Sequence, residues 1–291
     1  MLLESVEYAR PDTVDQALTL LSQRDGAAPL AGGQSLVNVL KHRVASVELL
    51  VDISRIEELR RIEARADGGL EIGACVTYDE LDRSEQVRAL HPLLADVAGH
   101  IEDQQIRDRG TIGGNCCLSD PTNNLPPMLV ALDATMNIRS ASGATRQVAA
   151  QDFFHGYFST AVGDGELLCS ITVAPMPSPG GAGYSTVSLG ADSKALARAA
   201  AFVRGNGTIQ DARVVLACFS AAPMRHEGME AALRGKPATV EAVNEAAAGI
   251  GDGLDPPGDV HASTEYRRAL APVVARRAVC QAIGKGGDER G

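Results

Sequence analysis

Tryptophan is absent, and phenylalanine and tyrosine together make up only 3% of the 291 residues. Proteins that hold single-stranded nucleic acid need aromatic stacking platforms, so that class is excluded. The formal net charge of −10 also argues against the basic surface that neutralises phosphate backbones. No apolar run approaches the roughly 18 residues that a membrane span needs. Glu4, Glu7 and Arg10 interrupt the first ten residues, so the apolar core of a signal peptide is missing and the cytoplasm is the expected compartment. Six cysteines (Cys75, Cys116, Cys117, Cys169, Cys218 and Cys280) occur without C-x-x-C spacing. Zinc and iron–sulfur sites need clustered thiolates, and His42, His91, His155, His226 and His261 form no metal-spaced pair, so no metal ligand is assigned. Cys116 and Cys117, read as neighbours on a strand, would face opposite ways and serve as small space-filling residues. There is no G-x-G-x-x-G in a strand–turn–helix setting and no G-x-x-x-x-G-K-[ST], which removes the Rossmann and P-loop modes of nucleotide binding. No nucleophile–base pair or pair of acid/base carboxylates stands out. No catalytic residue is assigned, and a bound cofactor is expected to carry the chemistry.

What is present is a pair of glycine doublets with polar neighbours. The stretch Arg107 to Pro121 centres on Thr111-Ile112-Gly113-Gly114-Asn115. Glycine lets the chain turn through positive φ and lets a ligand approach the backbone. Successive exposed N–H groups in such a turn make a concave nest for phosphate oxygens, to which Thr111 and Asn115 add side-chain donors. One isolated doublet would read as a tight turn between strands. A second of the same character, Ala31-Gly32-Gly33-Gln34-Ser35-Leu36, changes that reading, because two nests could grip both phosphates of one dinucleotide. Ser35-Leu36 also opens a helix expected to run through Val39, Leu40 and Val44, aiming its free N–H groups at the same anion.

Around these doublets the pattern alternates strand and helix. Leu2 to Tyr8 suggests a strand, Thr13 caps a helix carrying Val14, Ala17, Leu18 and Leu21, and Leu49 to Ile53 reads as a buried strand. Asp67-Gly68-Gly69 turns a hairpin between Arg61–Ala64 and Leu70–Ala74. Thr77 caps a helix from Tyr78, and His91-Pro92 begins another that ends at His100, where the helix dipole favours a histidine. Met128–Leu132 and Thr135–Ile138 read as helix then strand, with Ala144–Val148 pairing back. The aromatic cluster Phe153 to Phe158 reads as core. Pro175 to Gly181, with three prolines and two glycines, continues neither regular structure and is the clearest linker. Beyond it, Tyr184–Leu189 and Val214–Phe219 suggest strands, and residues 239–250 and 264–284 are helical in period. Lys194–Val203 reads either as helix, which its alanines favour, or as a buried strand.

The paired Ala-Gly-Gly-Gln-Ser and Thr-Ile-Gly-Gly-Asn stretches resemble the FAD-binding medium subunit of the molybdenum hydroxylases, the family of xanthine, carbon monoxide, nicotine and caffeine dehydrogenases. Leu50-Val51-Asp52-Ile53-Ser54, Gln105-Ile106-Arg107, Asp120-Pro121, Asp211-Ala212-Arg213-Val214 and Ala222-Pro223-Met224-Arg225 extend the likeness over nearly the whole chain. The resemblance implies an α+β architecture. An FAD-binding PCMH-type (vanillyl-alcohol-oxidase-like) domain would span 1–175, in lobes of about 1–55 and 56–175. A C-terminal domain of a small antiparallel sheet and helices would cover 180–285, with a frayed tail at 286–291. It favours a strand at Lys194–Val203. It implies FAD held at its pyrophosphate by Ala31, Gly32, Gly33, Gln34, Ser35 and Leu36 and by Thr111, Ile112, Gly113, Gly114 and Asn115. Asp120 and Asn124 would reach the adenosine side, with Asn124 standing where an acidic residue is often found, and Leu168 would meet the flavin ring.

The largest departure is at Tyr184 to Ala195, where Ser185, Thr186 and Leu189 stand in a region that is basic in many relatives. Lys194 is the residue that could replace that charge. The implied assembly joins a large molybdenum–pterin subunit and a small iron–sulfur subunit to this chain, as a dimer of heterotrimers. It delivers electrons from a small heteroaromatic substrate to an external acceptor. A self-contained FAD-dependent reductase or oxidase, and a noncatalytic assembly subunit, are the two other readings of the same features.

Overall fold

Thr13 shows how local chemistry starts the fold. Its hydroxyl accepts the Gln16 N–H at 3.2 Å and begins the helix Val14–Gln23, whose buried face is Val14, Ala17 and Leu18. The computed structural model describes residues 4–190 and 194–285, so the expected starting residues of the first strand, the tail at 286–291 and positions 191–193 lie outside the described residues. The helix covers a three-stranded parallel sheet in which Leu49–Asp52 lies between Glu7–Ala9 and Ala27–Leu30. The helix after the first glycine doublet is shorter than its apolar spacing suggests, ending at Lys41 rather than reaching Val44. Arg43 turns left-handed at φ 56°, and the Val44 N–H reaches back to the Val39 carbonyl at 3.1 Å. That closure satisfies the last carbonyls and leaves Val44 exposed.

The second lobe is a five-stranded antiparallel sheet in the order Ile62–Ala64, Leu70–Gly73, Glu166–Val173, Thr135–Ser140 and Thr145–Ala149. Helices Tyr78–Arg83, Pro92–Gly99 and Leu125–Ala131 contribute Tyr78, Leu81, Leu94, Val97, Met128 and Leu129 to its core. Thr77 and Glu80 cap the first of these reciprocally. The central strand Glu166–Val173 joins the two lobes. Leu167 and Cys169 enter the first lobe's core beside Val14 and Leu18, while Leu168, Ile171 and Val173 enter the second. A bulge between Leu168 and Ser170 shifts the alternation by one residue, so that Leu168, Ile171 and Val173 share the face turned to the second core.

The third unit is a four-stranded antiparallel sheet, ordered Gly180–Ser188, Ala195–Gly205, Ile209–Ala217 and Met224–Arg225. Its first strand begins at Gly180, so the two glycines expected in the linker are strand residues. A Cβ on Gly183 would overlap the Ala278 carbonyl of the long helix Thr264–Ala282, which explains the glycine there. The alanine-rich stretch is a strand. Ala197, Ala199, Ala201 and Val203 face that helix and its neighbours Glu227–Leu233 and Val240–Ala247, while Ala200 faces the second lobe's core. Tertiary burial on both faces overrides alanine's preference for helix. Arg213 ties this unit to the second lobe, donating to the Ala131 carbonyl at 2.9 Å.

His91 sits at the start of Pro92–Gly99, is 2% exposed, and neither ring nitrogen has a hydrogen-bond partner among the described residues. Burial pushes its imidazole below the ordinary value, against a smaller upward pull from the Ala174 backbone. A histidine whose folded pKa is depressed contributes stability that is present above the unfolded value of about 6.5 and is lost as pH falls below it. His91→Leu is therefore expected to flatten the decline of the melting temperature as pH falls from about 7 to about 5. Parallel melting curves of variant and parent would read this directly.

Candidate functional site

The first glycine doublet lies between the end of Ala27–Leu30 and the helix Leu36–Lys41. Gly33 takes φ +73°, a conformation that favours glycine. Gly32 is glycine for a different reason: a Cβ there would overlap the carbonyl of Arg109 and lie 3.0 Å from the Gly110 Cα. The two doublets, distant in sequence, thus meet backbone to backbone. Among the described residues, the N–H groups of Gly32, Gly33, Gln34 and Ser35 donate to no protein acceptor. Ser35 makes no side-chain cap bond to the helix that follows, so its hydroxyl is uncommitted as well. Gly32, Gly33 and Gln34 line a groove of about 430 Å³ to which Asn38, Lys41, Gln105 and Arg109 also contribute. Four open N–H donors with a lysine and an arginine beside them suit an anion.

The second doublet is built differently. Thr111 caps a helix, Ile112–Leu118, and neither Gly113 nor Gly114 adopts positive φ. The expected nest of open N–H groups is not formed here. Ile112 donates to the Val76 carbonyl at 3.0 Å, Gly113 to the Ala74 carbonyl at 2.9 Å, Gly114 to the Thr111 hydroxyl at 3.0 Å and Asn115 to the Thr111 carbonyl at 2.9 Å. Gly113 is required by space, since a Cβ would lie 2.6 Å from the Ala74 carbonyl oxygen. What remains available is side-chain chemistry: the Thr111 hydroxyl proton, and the buried Asn115 Oδ1, which has no partner. Asn115 is held by its Nδ2, which donates to the Tyr78 hydroxyl at 3.0 Å. Burial drives the Tyr78 phenol upward, so it stays protonated.

Asp120 and Asn124 follow on the connection to Leu125–Ala131. Oδ1 of Asp120 accepts from the Thr122 N–H and hydroxyl, and Oδ2 accepts from Lys194 Nζ at 2.6 Å. Burial alone would raise this carboxyl, but the bonds from Lys194 and Thr122 outweigh it and hold the group below the ordinary carboxylate value. The Asn124 carbonyl accepts from the Tyr184 hydroxyl at 3.1 Å. Asp120, which the resemblance puts toward the adenosine side, and Lys194, the residue that could replace the missing basic charge, are therefore joined in one ion pair.

With this geometry in view, two family models account for the chain. Residues 4–176 match the FAD binding domain in molybdopterin dehydrogenase, and residues 184–282 match the CO dehydrogenase flavoprotein C-terminal domain. The chain belongs to this flavoprotein family. The glyceraldehyde dehydrogenase medium chain of Sulfolobus acidocaldarius is 35% identical over 276 residues, covering 93% of this chain and 96% of that one. The carbon monoxide dehydrogenase medium chain of Hydrogenophaga pseudoflava is 35% identical over 282 residues, covering 96% and 97%. Among solved structures, carbon monoxide dehydrogenase from the same organism superposes with a TM-score of 0.93 at 34% identity, covering 98% of this chain and 99% of that one. Quinoline 2-oxidoreductase from Pseudomonas putida 86 gives 0.92 at 29% identity, covering 99% and 100%. This chain is accordingly an FAD-binding flavoprotein subunit of an oxidoreductase, and its relatives are medium chains of multi-subunit enzymes.

The remaining expectations meet the flavoprotein's geometry as follows. The Leu168 side chain is buried in the second core and does not line the groove. Cys116 and Cys117 lie on the helix Ile112–Leu118 rather than on a strand, the first buried and the second exposed. No group of three or more potential metal ligands occurs among the described residues, and no helix is long and apolar enough to cross a membrane. The aromatic cluster divides: Phe153 and Phe154 are core, while Tyr157 and Phe158 are exposed. Two side chains escaped the sequence reading. Tyr78 carried no signal, but Arg198 did, as the lone charge inside the apolar run Ala195–Val203.

Gly113→Ala is expected to cost about 1–3 kcal/mol of stability through overpacking against the Ala74 backbone. A lowered denaturant midpoint at unchanged m-value would record it.

Proposed function

We propose that this chain is the electron-relay subunit of a molybdenum hydroxylase complex. It would hold FAD, receive electrons from the iron–sulfur clusters of a small partner subunit, and pass them to an external acceptor. A large molybdenum–pterin subunit would hydroxylate the substrate. The observation that carries this reading is the row of four uncommitted N–H groups from Gly32 to Ser35, beside Lys41 and Arg109.

The residues fit FAD. Ala31 to Leu36 would hold the pyrophosphate through main-chain donors, with the Ser35 hydroxyl beside them. Thr111 and Asn115 would add side-chain contacts, while Ile112, Gly113 and Gly114 shape the wall. Asp120 and Asn124 would act toward the adenosine side, with Lys194 tied to Asp120 there. Leu168 would support the flavin from the buried sheet. The proposed division is a cofactor-binding domain over 1–175 and a C-terminal domain over 180–285. FAD suits the task because it takes up electrons singly and releases them singly or in pairs. The absence of an assigned acid, base or nucleophile is consistent with a chain that only positions and tunes that group.

Relatives of similar length carry names referring to glyceraldehyde, carbon monoxide, caffeine and nicotine. One flavoprotein design thus accompanies different substrates, which supports placing the substrate on the large subunit. The caffeine and nicotine relatives favour a small heteroaromatic compound for this complex, assembled as a dimer of heterotrimers.

The chain purified alone is expected to show flavin absorption bands and to release one FAD per chain on denaturation. A colourless chain that takes up no added FAD, alone or with the two partner subunits, would overturn the proposal.

A further inference from the structure

In a chain with 37 acidic and 27 basic residues, the groove at the first glycine doublet reverses the balance. Lys41 and Arg109 both line it, and no carboxylate does. They come from different lobes: Lys41 ends the helix Leu36–Lys41 of the first, and Arg109 stands two residues before Thr111 in the second. Both residues are exposed, and among the described residues neither side chain has an ion pair or a hydrogen bond. By contrast, Arg139 pairs with Asp15 and Glu58, Arg146 with Glu166, and Lys194 with Asp120.

The backbone around these two cations is fixed. Asn38 Nδ2 donates to the Gln34 carbonyl at 2.9 Å, which holds the turn, while the N–H groups of Gly32, Gly33 and Gln34 stay open. The Arg109 N–H donates to the Ile106 carbonyl at 3.2 Å, and the Arg109 carbonyl lies against Gly32, where a Cβ would overlap it. The N–H row and the Arg109 main chain are therefore held together, and the long side chains of Lys41 and Arg109 are free to meet a ligand.

Two like charges facing one groove repel each other, and an anion between them relieves that cost. A single phosphate can engage the N–H row and one cation. Two linked phosphates, each with its own negative charge, can engage the row and both cations, with the guanidinium fork suited to two oxygens at once. We propose that Lys41 and Arg109 are the specificity-determining pair of this groove: each neutralises one phosphate of a diphosphate, and together they make the chain select FAD over FMN. The inference rests on the FAD reading above and adds the side chains that recognise the second phosphate. Because both cations are exposed, salt screens them, and the preference for FAD over FMN falls as ionic strength rises.

The test is calorimetric titration of the full chain, freed of cofactor, with FAD, ADP and FMN at low salt. Lys41→Gln and Arg109→Gln are each expected to weaken FAD and ADP about tenfold, as loss of a charge-assisted hydrogen bond would. FMN should respond to at most one of the two substitutions, and Arg109→Lys should keep most of the parent's affinity for all three. The melting temperature of the unliganded variants should equal the parent's, since neither side chain has a partner to lose. FAD affinity unchanged in either glutamine variant would overturn the inference. So would an FMN affinity that falls in both variants as far as that of FAD, because the cations would then act as a general field. A lowered melting temperature without ligand would assign them a structural role and also overturn it. A parent chain that binds ADP through both cations but takes up no FAD would instead remove the function proposed above and leave the diphosphate site standing.

Discussion

The close approach of Gly32 to the Arg109–Gly110 backbone is the contact on which the site depends. It brings a loop of the parallel three-stranded sheet against the entrance of a helix in the second lobe. With no Cβ in the way, the open N–H groups of Gly32 to Gln34 can share one groove with Arg109 and Gln105. The Glu166–Val173 strand is shared by the cores of the two lobes. Leu167 and Cys169 anchor it in one lobe and Leu168, Ile171 and Val173 in the other, so the two loops are held by a shared piece of core. Burying apolar surface on both sides of one strand fixes its register, since a one-residue slip would exchange the two sets.

The two glycine doublets look alike in sequence and do different physical work. The first combines a left-handed Gly33 with a sterically crowded Gly32 and leaves its donors open. The second is the first turn of a helix whose donors are consumed by Val76, Ala74 and Thr111, and whose Gly113 permits packing on Ala74. The site is therefore asymmetric, with main-chain donors on one side and the hydroxyl and amide of Thr111 and Asn115 on the other.

The C-terminal sheet completes the surroundings by charge. Lys194 meets Asp120 at the surface, while Arg198 lies buried behind Tyr184 with no carboxylate of its own among the described residues. A paired lysine and an arginine without an ion pair a few residues apart are not equivalent: the first is largely neutralised and screened by water, and the second holds its charge inside the protein. Alanines along Ala195–Gly205 make this possible by letting the helix Thr264–Ala282 pack closely on one face while the other face meets the second lobe.

The sequence by itself determined the family, the order of most elements and their caps, because these reside in short-range signals. Thr13 and Thr77 need only their neighbours in the chain to act, and the paired Gly-Gly motifs are legible as short strings. Tertiary structure decided the rest. It made Ala195–Gly205 a strand against its helix propensity, ended a helix at Lys41, placed the second doublet inside a helix, and joined Lys194 to Asp120. It also buried Arg198 against the Tyr184 hydroxyl, with no ion pair to a carboxylate among the described residues. Each of these outcomes depends on which distant atoms lie within a few ångströms, through burial, steric overlap or an available charge, and local propensity carries no information about that distance.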